Sequence, residues 1–119
     1  MNVAPAVIVL KGVIHFQTND VEIMPDGQQL LDEVVDVLVA NPQIKRVRVE
    51  GHTDNRGVPA ANLELSKGRA RSVMAYLIKQ GIDPTRLESE GYGASQPLVP
   101  NITAANRTKN RRVAFKILE

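Results

Sequence analysis

Apolar residues recur along this chain with two distinct periods. Val47 and Val49 alternate with Arg48 and Glu50, the period-two pattern of a strand that buries one face. From Arg111 to Leu118 the pattern returns, with Val113, Phe115 and Ile117 on one side and Arg112, Ala114 and Lys116 on the other. Helical spacing appears twice. Leu30, Leu31, Val34, Val35 and Leu38 follow Pro25, which suits a first helical turn, and Asn41-Pro42 ends the run. Roughly Ala60 to Gln80 carries Leu63, Ala70, Val73, Met74 and Leu77 on one face. Gly81 followed by Ile82 fits a left-handed C-terminal cap, and Pro84 prevents continuation.

The remaining pieces are shorter. Val13-Ile14-His15-Phe16 reads as a first strand, Gln17 to Glu22 as a polar loop, Ile44 to Glu50 as the second strand with Gly51 letting the chain leave the sheet, and Arg86 to Tyr92 as the third. Gly91 to Pro97 predicts an irregular turn, and Thr103 can cap a brief helix through about Thr108. The order is βαβαβ(α)β. The expected fold is an α/β two-layer sandwich, a mixed four-stranded sheet covered on one face by two main helices. With a helix between them, the first two strands are most economically parallel neighbours.

Composition narrows this only in part. A chain of 119 residues with 43% apolar content supports one domain with one core. Residues 1–11 read as an N-terminal extension or linker, and 12–119 as the domain. There is no cysteine, so neither disulfides nor thiolate zinc sites contribute. The run Val7 to Leu10 is too short to span a bilayer and lacks the basic leader of a secretory signal. As supplied, the chain is expected to be neither targeted nor anchored, and if exported, to be an excised domain. The formal charge is only +2, but Arg107, Lys109, Arg111 and Arg112 form a basic cluster.

The chemistry gathers between Val47 and Arg71. Asp54 falls just past a strand's carboxyl end, and on the helix that follows, Asn62, Ser66, Arg69 and Val73 make a stripe bordering the buried face. A carboxylate facing a guanidinium and an amide suits a ligand bearing both an ammonium and a carboxylate. The same residues also fit a structural Asp54–Arg69 salt bridge, and spacing leaves both readings open.

Four ordered motifs, Gly51-His52-Thr53-Asp54, Asn62 with Leu65-Ser66 and Arg69-Ala70, Gly91-Tyr92-Gly93 with Pro97, and Asn110-Arg111-Arg112-Val113, resemble the OmpA-like domain. That family includes the outer-membrane protein A carboxyl-terminal domain, the peptidoglycan-associated lipoprotein and flagellar stator subunits. The resemblance runs from about Val13 to the end. It implies noncovalent binding of peptidoglycan in the periplasm, through the diaminopimelate of the stem peptide, by a domain of an envelope-anchored protein. By similarity Asp54 receives the ammonium and Arg69 the carboxylate. Thr53, Asn62 and Leu65 line the pocket, Phe16 and Gln17 contribute from the first strand's end, and Arg111 buttresses it. One departure stands out: many members place an aspartate shortly after the first-strand Phe, whereas Phe16 here precedes Gln17, Thr18 and Asn19.

Other classes are weaker. His52, Asp54 and Ser66 supply the residue types of a hydrolytic set, but no nucleophile elbow accompanies them. His15, Glu50, His52 and Asp54 have no recognised metal-ligand spacing. A binder rather than an enzyme is expected, without metal or cofactor, with His52 fixing the Asp54 loop by hydrogen bonding. The basic cluster could serve an anion or nucleic acid, but 3% aromatic content gives few stacking platforms. A decayed site serving only protein contacts is the other alternative, and a homodimer is compatible with either. No nucleic-acid partner and no direct membrane insertion are expected.

Overall fold

The computed structural model describes residues 6–10, 12–17 and 19–119. Its elements are β1 (Ala6–Ile8), α1 (Pro25–Ala40), β2 (Val47–His52), α2 (Pro59–Lys79), a 3-10 turn (Pro84–Arg86), β3 (Leu87–Gly91), α3 (Ala104–Asn110) and β4 (Arg112–Ile117). The strands form one mixed sheet in the order β1-β4-β2-β3. β2 and β3 run parallel, whereas β4 is antiparallel to both β2 and β1. This is the α/β architecture expected, a four-stranded sheet with its two long helices packed into a common core.

Two expectations about the first strand are corrected. Val13 to Phe16 is not a strand of the sheet: only Phe16 makes a bridge, to Ile23, while the Ile14 side chain is buried in the core. The edge strand is instead Ala6–Ile8, from the stretch read as an extension, of which positions 1–5 and 11 lie outside the described residues. Nor are the first two strands neighbours, because β4 lies between β1 and β2. The physical reason is that β4 buries Val113 and Phe115 on its core side, so a central position covers more of its apolar surface than an edge would.

The core joins Leu31, Val34 and Leu38 of α1, Ala70, Val73 and Leu77 of α2, and Val47, Val49, Leu87, Val113 and Phe115 of the sheet. The centre of the α2 face differs from the hydrophobic reading. Ser66 is fully buried, whereas Leu63 is exposed. The cause lies in β2, where Gly51 does not release the chain but continues the strand to His52. A Cβ on Gly51 would sit 2.2 Å from the Ser66 carbonyl oxygen, and one on Gly91, its partner across β2 and β3, 2.4 Å from the Lys67 nitrogen. These two glycines let α2 come down onto the backbone of the sheet. Ser66 then closes the contact, donating to the Leu63 carbonyl at 2.8 Å and accepting from Gly93 N–H at 2.9 Å.

Helix ends are closed by two different devices. α2 finishes in a Schellman motif, with Gly81 at φ +105°, Gly81 N–H donating to Ile78 at 3.0 Å, Ile82 N–H to Leu77 at 3.1 Å, and Ile82 buried. α1 has no such cap, and no basic residue in its last turn. The Arg86 guanidinium fills that role from the 3-10 turn, donating to the carbonyls of Leu38 at 3.0 Å, Asn41 at 3.2 Å and Ile44 at 2.7 Å.

The other sheet face is polar. Arg48 pairs with Glu88 at 3.0 Å and approaches Glu50 at 3.7 Å, and Arg46 reaches Glu88 at 2.5 Å. The contacts with Glu88 cross from one strand to the next, whereas Arg48 and Glu50 are neighbours on the same face of β2.

The contrast between two glycines is testable by urea denaturation. Gly51→Ala forces backbone apart and is expected to cost roughly 3 kcal/mol or prevent folding. Gly81→Ala meets open space and suffers only the left-handed backbone, at about 1 kcal/mol. Equal losses would contradict the close contact between α2 and β2.

Candidate functional site

A cleft of about 510 Å³ opens beyond the carboxyl end of β2, between the segment before α1, the first half of α2, and the junction of α3 with β4. Asp54, Thr53, Asn62, Leu65, Arg69, Phe16 and Arg111 all line it. Gln17 does not. Its side chain is exposed, and its contribution is a backbone carbonyl that accepts from Arg69 Nη2 at 3.1 Å.

Asp54 is positioned by the turn that follows β2. Thr53 N–H donates to the Gly93 carbonyl at 2.8 Å, and the Thr53 hydroxyl to the Asp54 carbonyl at 2.9 Å. The Asp54 carboxylate accepts Arg56 N–H on Oδ1 at 2.9 Å, closing an Asx turn, and receives Arg111 Nη1 on Oδ2. Arg111 is held in turn by Thr108 Oγ1 at 2.9 Å. The ion pair at Asp54 is therefore with Arg111, and the Asp54–Arg69 bridge that spacing left open does not form. A buried carboxylate needs such a partner, since Asp54 is only 5% exposed.

Arg69 is fixed without a carboxylate contact among the described residues. Nε donates to the Asp20 carbonyl at 2.9 Å, Nη2 to that of Gln17, and the guanidinium carbon lies 4.8 Å from the Phe16 ring centroid. Burial and then repulsion from Arg111 lower its pKa, and the nearby Asp20 partly offsets this. Asp20 itself folds its own loop, accepting from Val21 N–H at 2.7 Å and Glu22 N–H at 3.0 Å. Sequence reasoning marked the absence of an acid directly after Phe16 but assigned no role to Asp20, three positions beyond Gln17. The signal available was an Asp inside a polar loop opposite a helix-border arginine.

Asn62 faces the cleft and donates to the Arg56 carbonyl at 2.7 Å. Asn110 is fully buried and acts structurally. Its Oδ1 accepts Leu98 N–H at 2.8 Å and Val99 N–H at 3.0 Å, while Nδ2 donates to the Val99 carbonyl at 2.7 Å. These bonds pin the loop after β3 against the start of β4. Arg112 donates to the carbonyls of Asn110 and Gln96, so this member of the basic cluster is engaged with backbone.

His52 departs from expectation. It does not brace the Asp54 loop: its ring stacks on Tyr92, with centroids 5.2 Å apart, and Nδ1 is buried with no hydrogen-bond partner among the described residues. Nε2 lies 3.6 Å from Glu50, too far for a good hydrogen bond. Burial, reinforced by Arg112 and partly opposed by Glu50, holds its pKa down at about 4. The hydrolytic set also fails to assemble, because both hydrogen-bonding roles of Ser66 Oγ are taken by backbone. Of the residue types that bind metals, His15 pairs with Asp26 at 2.8 Å, and among the described residues no three of His, Cys, Asp or Glu converge on one point.

Comparison with known proteins adds to this geometry. Residues 15–111 match the model of the OmpA family. Outer membrane protein A of Bordetella avium is 39% identical over 113 residues, covering 95% of this chain and 58% of that protein. The peptidoglycan-binding protein ArfA of Mycobacterium tuberculosis is 36% identical over 109 residues, covering 92% of this chain and 33% of its own length. The chain thus spans between a third and three-fifths of these relatives. Among solved structures, the C-terminal domain of Helicobacter pylori MotB superposes with a TM-score of 0.80 at 26% identity, over 99% of this chain and 87% of that one.

The His52 environment predicts a pH dependence. An unfolded imidazole titrates near 6.5 and the folded one near 4, so as pH falls the unfolded chain takes up the proton first. The stability due to the neutral ring is complete above 6.5 and is lost between 6.5 and 4. Urea midpoints of the wild type and His52→Gln across this window should converge as pH falls. A constant difference would contradict a buried neutral ring.

Proposed function

The chain belongs to the OmpA family, and from that premise we propose that it binds peptidoglycan noncovalently, through the diaminopimelate of the stem peptide, as a periplasmic domain tethering the envelope to the wall. One observation carries the reading: Asp54 and Arg69 line the same cleft without neutralising each other. The free end of diaminopimelate is an amino acid that carries both charges.

Each end of that zwitterion finds open valences. An ionised carboxylate has about four lone-pair sites, and Asp54 gives up one to Arg56 N–H and one to Arg111, leaving room for an ammonium. Arg69 uses Nε and one Nη2 hydrogen on loop carbonyls. Nη1 and the second Nη2 hydrogen can then fork onto a carboxylate, with the Phe16 face and the two carbonyls fixing the plane of the fork. Leu65 and the aliphatic lining at Val13 and Ile14 give the methylene chain between the charges an apolar wall. Binding of this type needs no cofactor and no bond chemistry.

The relatives support the setting. One bears the name of an outer membrane protein and one of a peptidoglycan-binding protein, consistent with action at the cell envelope. Among the described residues no helix is long and apolar enough to cross a membrane.

A second reading is favoured by the Asp54–Arg111 pair, which could make Asp54 a purely structural acid in a domain that contacts only proteins. Calorimetric titration with muropeptides separates the two. Asp54→Asn and Arg69→Ala are each expected to weaken binding of a diaminopimelate-type muropeptide by about 1.5–3 kcal/mol, roughly ten- to a hundredfold. The lysine-type muropeptide, lacking the carboxylate, should bind wild type as weakly as Arg69→Ala binds the diaminopimelate type, and Arg69→Lys should recover little. Unchanged affinities in these variants would favour the structural reading.

A further inference from the structure

The charges lining the cleft do not balance. Arg56, Arg69, Arg111 and Arg112 face it, and among the described residues the carboxylate on the lining is that of Asp54 alone. Arg69 already feels repulsion from Arg111. A zwitterion brings no net charge, so the diaminopimelate terminus by itself leaves this positive surplus untouched.

Three of the four guanidiniums have partners. Arg111 is held by Asp54 and Thr108, Arg69 by the loop carbonyls, and Arg112 by the carbonyls of Asn110 and Gln96. Arg56 differs. Its backbone is clamped from both sides, N–H to Asp54 Oδ1 at 2.9 Å and carbonyl to Asn62 Nδ2 at 2.7 Å. Its guanidinium, on the exposed rim, makes no ion pair or hydrogen bond among the described residues. The anchored backbone keeps this cation beside the pocket that the ammonium is read to enter.

We infer that Arg56 takes a second carboxylate of the same ligand, so that the site reads one particular stem-peptide carboxylate besides that of the diaminopimelate terminus. This rests on the reading of the cleft as a stem-peptide site and extends it. Two positions on a stem peptide offer such a group within reach of the diamino acid: the α-carboxylate of the γ-linked glutamate before it, and the carboxyl terminus after it. Amidating the one that Arg56 uses removes the charge and leaves the rest of the ligand intact. A rim contact of this kind is worth a factor of about two to five, and salt should weaken it.

The test is isothermal titration of three diaminopimelate tetrapeptides, one with all carboxylates free, one with the glutamyl α-carboxylate amidated and one amidated at the carboxyl terminus, against the wild type and Arg56→Gln. One of the two amides is expected to bind wild type about two- to fivefold more weakly. Arg56→Gln should lose that factor on the free acid and be indifferent to the same amidation. The inference is overturned if wild type binds all three alike, or if Arg56→Gln responds to amidation as wild type does. Arg69→Ala and a lysine-containing tetrapeptide in the same series report on the underlying site. Should those weaken binding while amidation does nothing, only the second carboxylate falls; should they change nothing, or should no peptide bind, both readings fall.

Discussion

A helix seated backbone against backbone on a sheet sets the geometry of this molecule. At Gly51 and Gly91 the backbone of α2 lies where a side chain would otherwise project, and Ser66 locks the contact through Gly93 N–H. Everything in the cleft inherits its spacing from this seat. Asp54 follows three residues after Gly51 on the sheet side, while Asn62, Leu65 and Arg69 surround Ser66 on the helix side. Lifting α2 by the width of a methyl group would alter the gap between the carboxylate and the guanidinium directly, because both are carried on elements that meet at this contact.

The second organising fact is how the two charges are kept apart. Opposite charges that line one cleft attract each other, and the attraction grows as water is excluded. Each has been given another partner. Arg111 satisfies Asp54, and backbone carbonyls with an aromatic face satisfy Arg69. The carbonyls of Gln17 and Asp20 thus clamp Arg69, and no aspartate directly after Phe16 is needed for that.

The polar side of the sheet has a separate logic. Arg48, Glu50 and Glu88 with Arg46 offset one another along β2 and across to β3, while His52 and Tyr92 stack where β2 and the end of β3 meet. Burying an imidazole whose Nδ1 has no partner among the described residues is least costly when the ring stays neutral. That constraint, rather than any catalytic duty, explains its depressed basicity.

Local sequence determined a good deal: both long helices, three of the four strands and the class of the sheet follow from where apolar residues recur and where glycine and proline interrupt them, because each element must bury one face, and the Gly81 cap and the short helix begun by Thr103 follow from end-capping chemistry. The motifs around Asp54 and Arg69 likewise singled out two residues that line one cleft. Only the tertiary structure decided which apolar run becomes the edge strand, since Ala6–Ile8 and Val13 to Phe16 are both apolar and the choice depends on what β4 leaves unpaired. It also decided that Ser66 rather than Leu63 centres the α2 face, that Arg111 rather than Arg69 answers Asp54, and that the Arg56 guanidinium has no partner among the described residues. Those outcomes depend on distances between segments far apart in the chain, and local spacing carries no information about them.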